Sequence, residues 1–463
     1  MGHSYARARL SSGVRSSVTV CAIAGLVALL SSAALAQSPA GLVAAAQINT
    51  GDTTWMLLST ALVMLMTPGL ALFYGGMVRS KNVLNILMQS FVALGIVTLV
   101  WVLWGYSLAF GPGGKYLGSF AWFGLSHVGN APSSYAPTIP HNVFMLYQMM
   151  FAIITPALIS GAIAERMKFS TYLVFMVLWS TIVYCPLAHW VWGKGGWLGA
   201  DGLGALDFAG GTVVHISSGM SALVVAILLG KRKPTIKSHD EEIRPHNLPM
   251  TLIGTALLWF GWFGFNAGSA LASGGLAASA FLATHIAAST AGVAWILLEW
   301  KSSGKPTALG FATGAVAGLV AITPASGFVG PLAAIAIGAV VSLISFYAIR
   351  LKHRFRYDDT LDVFGVHGVG GTWGAIATGL FASTIINKDG ANGLFNGGGM
   401  HLLGKQCCAA STAILYSITV TFVLIKVLDK VMGLRVTAEE EEVGLDLTQH
   451  GEIAYAALEA EGG

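Results

Sequence analysis

Charge is what this chain has least of. Only 10% of its 463 residues are Asp, Glu, Lys or Arg, against about 25% in an ordinary soluble domain. So little charge cannot cover a water-facing globule of this size. The formal net charge of +4 says little about nucleic acid; where the charges lie matters more. Cysteine is scarce as well. Cys21, Cys185, Cys407 and Cys408 include no C-x-x-C pair and lie in apolar surroundings. Neither a disulfide framework nor a zinc site is indicated.

What is present instead is apolar sequence. Hydrophobic residues make up 55% of the chain, and the mean hydropathy is +0.70. The few charges are clustered, with long apolar stretches between them, as in a polytopic membrane protein. The 58 glycines suit membrane helices that pack backbone to backbone. At the N-terminus, Arg7, Arg9 and Arg15 precede an apolar run from Val18 to Leu30. Ala34-Leu35-Ala36 then offers a small-residue cleavage site before Gln37. This reads as a secretory signal over 1–36 followed by an external segment 37–53. The alternative is an uncleaved first membrane helix.

Eleven spans are expected, each near the ~20 residues that a bilayer requires. They fall at about 54–77, 84–110, 142–165, 170–190, 207–229, 249–271, 276–300, 306–323, 328–350, 360–385 and 401–432. Pro68, Pro156 and Pro186 lie inside spans and are expected to kink them. With the mature N-terminus outside, the inner loops hold Arg79 and Lys81, Arg166 and Lys168, the run Lys231 to Arg244 with Lys237, Lys301 and Lys305, and Arg350 to Arg356. The outer loops hold only Lys115, Lys194 and Lys388, with Lys405 just inside the last span. This alternation places the N-terminus out and the C-terminus in. Five spans precede the basic loop and five follow it before the last. An odd repeat inserts its second copy upside down, so a five-plus-five inverted repeat is expected, with its functional site near the midplane.

Two stretches place ionisable groups inside apolar runs. The first runs from Asp207 to His215, the second from Asp362 to His367 and on to Gly371. Such groups are expensive in a membrane and usually line a pathway or cavity. His215 lies eight residues into its span, about 12 Å deep. His367 enters from the other side and lies about 10 Å deep. In a core about 30 Å thick, both imidazoles sit near the middle. Two adjacent histidines can bind a metal, relay protons or hydrogen-bond a neutral polar solute; they can also simply join helices. Neither stretch supplies a further ligand that a metal would want. Asp207 and Asp362 sit at helix starts, where capping is the ordinary role. Asp207 can in addition lend negative potential to an outer vestibule.

A third group lies on the outer side. Tyr147 and Phe151 are four residues apart on one helix face, as are Phe265 and Ser269, and Trp192 follows the fourth span. Such aromatics ordinarily form an interfacial belt. Together they can form a cation site, because Trp and Tyr ring faces attract ammonium-type cations.

The run DFAGGTVVHISSGMSAL from Asp207 to Leu223 resembles the signature of the Amt/Mep/Rh ammonium transporter family, most of all its bacterial Amt branch. Gly261 to Ser269 and Phe364 to Gly371 resemble it too, and the likeness extends from about Trp55 to the tail. The resemblance implies an all-α integral membrane protein that forms a homotrimer with a central pore in each subunit. It further implies a place in the bacterial inner membrane, a transporter and not an enzyme, and no cofactor or metal. Trp192, Tyr147, Ser269 and Asp207 would recruit ammonium, or methylammonium as an analogue. Phe151 and Phe265 would gate the mouth, and His215, His367 and Trp262 would line the pore. Tyr147 stands where a Phe is common, and the segment from Trp192 to Asp207 is longer than usual. The tail 433–463, with Glu439 to Glu442 and His450-Gly451-Glu452, reads from composition alone as a solvated acidic run. The resemblance implies instead that it packs under the pore and meets a PII-type signal protein. An ammonium sensor with little net transport is the alternative function.

Overall fold

The computed structural model describes residues 48–233 and 245–455. The expected signal segment 1–36, residues 37–47 of the external segment, Lys237 and Arg244 of the basic loop, and the end of the tail lie outside the described residues.

The described chain is a helical bundle. Nine of its helices are long and apolar enough to cross a membrane. These are α1 (Thr50–Met77), α2 (Ser80–Phe110), α3 (His141–Ile163), α4 (Phe169–Trp192), α5 (Gly211–Leu229), α6 (Leu248–Ala270), α7 (Gly275–Ser303), α9 (Pro331–Phe355) and α11 (Met400–Met432). Between them lie a shorter apolar helix, α8 (Ala308–Ile322), and α10, which opens as a π turn Phe364–Gly368 and continues as Val369–Phe381. The α2–α3 loop carries a small antiparallel hairpin, Pro132–Ser133 with Ala136–Pro140.

Local chemistry sets the helix starts. The Asn49 side chain accepts the Asp52 N–H, Asn247 accepts that of Met250, and Thr307 that of Gly310. Each satisfies one of the unpaired donors at a helix N-terminus. Pro186 sits two residues after the π turn Ser180–Tyr184, a local rewinding of the kind that absorbs a missing N–H.

α3 and α5 are buried along most of their length and form the centre. The outer helices turn apolar side chains such as Leu99, Leu415 and Val431 outward. α1 packs along α6, α7 against α8 and α9, and α5 against both parts of α10. The α1–α6 approach depends on glycine: a Cβ at Gly254 would lie 2.2 Å from the Phe73 nitrogen.

Two helix starts differ from expectation. The fifth helix begins at Gly211 rather than 207, because residues 207–210 form a cap instead of a helical turn, with Gly210 at φ 113°. The tenth begins near Phe364 rather than 360, and Asp362 is not its cap. The Asp359 carboxylate accepts the Phe364 N–H at 2.7 Å, while Asp362, at φ 60°, pairs with Lys352. A side chain in the left-handed region there turns away from the first helical N–H groups and reaches the cation on α9.

The tail is not a solvated run. Thr437 and Glu440 form a capping box that starts α12 (Ala438–Val443). The Lys168 N–H donates to Leu434 O and the Val436 N–H to Arg166 O. Further on, Asp446 accepts the Asn85 N–H and Asn82 accepts that of Leu445, both at 2.8 Å. Beneath this docked tail lies a network of buried charge. Glu165 accepts from Arg79 and faces Arg232 at 3.5 Å. Burial pushes the Glu165 carboxyl up, but the Arg232 and Arg79 guanidiniums hold it below the usual carboxylate range.

Candidate functional site

From the end that carries the 111–140 loop, a vestibule of about 270 Å³ leads inward. Trp192, Phe151 and Ser269 line it, joined by Gln148, Phe208 and Tyr135. Trp192 is fixed by its indole N–H, which donates to the Asp207 carbonyl at 2.9 Å, so the long intervening segment returns to its start. The Asp207 carboxylate is not among the groups that line the vestibule. One oxygen accepts the Gly210 and Gly211 N–H groups at 2.8 Å, the other those of Thr212 and Val213 at 2.7 and 3.3 Å. Asp207 therefore satisfies the opening turn of α5 and, through its carbonyl, positions Trp192.

Tyr147 is fully buried and lies behind the vestibule wall rather than on it. Its hydroxyl is within 2.9 Å of Gly264 O, 2.8 Å of Phe265 O and 3.1 Å of Ser269 Oγ. It packs on Phe151 and ties α3 to the end of α6 that carries Phe265 and Ser269.

The vestibule ends at two stacked rings. Phe151 and Phe265 lie 4.2 Å apart, centroid to centroid, with 28° between their planes. Phe151 lines the vestibule on one side; Phe265 lines a narrow cavity on the other. That cavity measures about 10 Å³, roughly what one water-sized molecule needs. Its walls are apolar, among them Leu70, Ile154 and Val316, and its polar groups are His215, His367 and the Trp262 indole. That indole donates to Thr323 at 2.9 Å and lies 5.4 Å from the His215 ring.

The two imidazoles meet. Nδ1 of His215 and Nδ1 of His367 are 3.2 Å apart, so one carries the hydrogen and the other accepts it. Nε2 of His215 is buried with no hydrogen-bond partner among the described residues. Both histidines sit in π turns, Gly211–Ile216 and Phe364–Gly368. Such turns recur at functional sites because the extra residue re-aims a side chain without ending the helix. Glycine permits the approach: a Cβ at Gly219 would lie 2.1 Å from the Gly368 nitrogen, and one at Gly371 would lie 2.8 Å from the His215 Cβ.

At the opposite end a wider cavity of about 640 Å³ opens, lined by charged groups that include Arg232, Arg350, Lys352, Glu299 and Asp362. No cluster of three or more metal-ligating side chains occurs among the described residues.

The sequence matches the model of the Ammonium Transporter Family over residues 54–455. The chain belongs to that family. It is 56% identical over 406 residues to an ammonium transporter of Bacillus subtilis, covering 88% of this chain and 98% of that one. It is 47% identical to ammonium transporter Amt1 of Archaeoglobus fulgidus, covering 88% and 100%. Among solved structures it is similar to Mep2 of Candida albicans, with TM-score 0.81, 39% identity and coverage of 88% and 91%. It is also similar to a protein described as a sensor Amt protein, with TM-score 0.78, 32% identity and coverage of 86% and 98%. The family consists of membrane transporters rather than enzymes, and its substrate is ammonium.

Sequence reasoning missed Gln148 and Phe208 in the vestibule. A lone glutamine in an otherwise apolar span was the available signal for the first. It also missed the buried Glu165–Arg232 network, whose partners come from separate loops.

Proposed function

We propose that this chain recruits ammonium at the Trp192 vestibule, deprotonates it, and conducts ammonia past Phe151 and Phe265 to the His215–His367 pair. The observation that carries this reading is the Nε2 of His215, without a hydrogen-bond partner among the described residues, beside a cavity with room for one small molecule. A bare cation crossing the apolar constriction would meet a desolvation cost on the order of tens of kcal/mol in the idealised limit. Ammonia meets far less, and the imidazoles can hydrogen-bond it and relay a proton. The Trp192 ring and Ser269 Oγ supply a cation face and an acceptor. Tyr147 contributes by holding Ser269 and Phe265 in place, and Asp207 by holding Trp192.

The same reading takes the chain as eleven spans with a five-plus-five inverted repeat. The packing of α1 on α6 and of α5 on α10 supports it. It further includes a cleaved signal, an external N-terminus, a cytoplasmic C-terminus, an inner-membrane location, a homotrimer with one pore per subunit, and a PII-type protein that meets the tail. A second reading, a sensor with little net transport, draws on the likeness to the sensor Amt protein.

The test is ammonium-, methylammonium- and potassium-evoked current in liposomes for His215→Ala and His367→Ala, with thermal stability measured in parallel. Lost ammonium current with normal stability is expected. Wild-type current and selectivity in a stable double variant would refute a transport role for the pair. A wild-type protein without current would favour the sensor.

A further inference from the structure

We propose that the Tyr135 ring on the vestibule wall is a second cation subsite, which the ammonium group of Lys194 fills until an incoming ammonium displaces it. Lys194 is then a tethered competitor of the substrate. The inference rests on the reading of the vestibule as an ammonium recruitment site.

The rim holds both residues in place. Tyr135 lies at the turn of the α2–α3 hairpin, and Lys194 follows the end of α4 between Gly193 and Gly195. Gly195 is left-handed, φ 79°, and its N–H donates to the Asp201 carboxylate at 2.8 Å. A Cβ at Gly193 would lie 2.5 Å from the His189 Nδ1, so only glycine lets the turn pack this tightly on α4. The Lys194 N–H donates to the Tyr135 hydroxyl at 2.9 Å, and that hydroxyl donates to the Phe110 carbonyl at 2.8 Å. Phe144 stacks on the Tyr135 ring at 5.1 Å with 9° between the planes. With one face spent on Phe144, the ring has one face to offer a cation.

Lys194 meets that ring. Its Nζ lies over it, 5.6 Å from the centroid, within the ~6 Å at which an aromatic quadrupole attracts a cation. Tyr135 lines the vestibule together with Trp192 and Ser269, and no charged side chain lines it. Two other cations lie over rings among the described residues, Arg350 on Phe346 and Lys426 on Phe422, and neither ring belongs to the vestibule. The Lys194 Nζ has no hydrogen bond or ion pair among the described residues. Residues 1–47 contain no Asp or Glu. The acidic residues outside the described ones follow Lys233 and Tyr455, which both lie at the other end of the bundle. The contact that places this ammonium is therefore the ring.

The head of a lysine is a primary alkylammonium, the same class as methylammonium. A ring face that takes one takes the other, because the attraction is to the charge and its N–H and C–H shell. Two like charges at a chamber of about 270 Å³ repel each other. An arriving ammonium therefore gains more by displacing the lysine than by joining it. The contact is autoinhibitory: it raises the ammonium concentration at which the vestibule fills.

Saturation-transfer NMR of methylammonium on the purified full chain gives the apparent Kd without any need for current. Lys194→Met, at an exposed position, should bind methylammonium about three- to sixfold tighter, the factor by which an exposed cation–ring contact occupies its own site. Lys194→Arg keeps the competitor and should match the wild type. Lys388→Met, the same charge loss elsewhere on the outer loops, should match it too. In the Tyr135→Leu background, Lys194→Met should bring no gain. If Tyr135→Leu does not fold, the titration is repeated at about 0.5 M sodium chloride, where the Debye length is about 4 Å; a gain from freeing the ring persists there. An unchanged Kd in Lys194→Met overturns the proposal. So does an equal gain in the Tyr135→Leu background, or a gain that vanishes in salt, since either assigns the effect to charge at a distance. Wild-type binding without tightening in Lys194→Met leaves the recruitment reading standing, whereas absence of binding in every variant overturns both.

Discussion

Replacing Asp207 tests whether its carboxylate acts on the substrate or on the protein. Its two oxygens accept four backbone N–H groups, two per oxygen. Asp207→Ala frees all four. Ordinary cap removal costs about 1–2 kcal/mol. Donors left unpaired in a buried site cost about 1–3 kcal/mol each. The fourth bond is long, at 3.3 Å, and water in the vestibule can reach part of the opened turn. A loss of about 3–6 kcal/mol is expected. Asp207→Asn keeps one acceptor oxygen for two N–H groups and turns an amide against the other two, so about half that loss should follow. Reversible unfolding in mixed micelles gives the stability. Transport should fall in step with stability, with Asn between wild type and Ala. If Asn matches wild type in stability while ammonium recruitment collapses, the carboxylate works through its charge at the vestibule and the capping argument is wrong.

Gly219→Ala should separate α5 from α10, since the added carbon would lie 2.1 Å from a backbone nitrogen; loss of ammonium current together with about 3 kcal/mol or more of stability is expected, and a variant with wild-type current and stability would refute the close crossing. Burial, and then the Asp362 carboxylate, push Asp359 up to about 6. A raised folded-state value stabilises the fold fully below the unfolded value of about 3.9, and that contribution is lost as pH rises through 6. The stability of the wild type relative to Asp359→Asn should therefore fall by about 2 kcal/mol between pH 4 and pH 6.5; a flat difference in denaturation midpoints would contradict the shift. Deleting residues 439–463 should abolish binding of a PII-type protein by calorimetry while leaving a folded membrane protein, and unchanged binding would remove the tail from that interface.

Sequence alone determined the class and most of the helix positions. A chain this poor in charge must bury its backbone in helices if it enters a bilayer, because no water is there to satisfy open N–H and C=O groups. Long apolar runs therefore translate almost directly into helices, and α2, α6 and α11 lie within a few residues of expectation. The two histidines were also legible, since an ionisable group in an apolar run is conspicuous. What period and depth could not supply was orientation of side chains at contact distance. Tyr147 and Phe151 share a helix face, yet only the packing of α6 against α3 decides that the Tyr147 hydroxyl is spent on carbonyls at 264 and 265 while Phe151 faces the vestibule. Asp362 looked like a cap because it precedes the helix; the left-handed turn and Lys352, ten residues upstream on another helix, gave that role to Asp359. The 3.2 Å meeting of the imidazoles depends on two π turns and on glycines at 219 and 371. Those features are decided where two helices cross, by which backbone atoms have room to approach, and a linear sequence does not carry that distance.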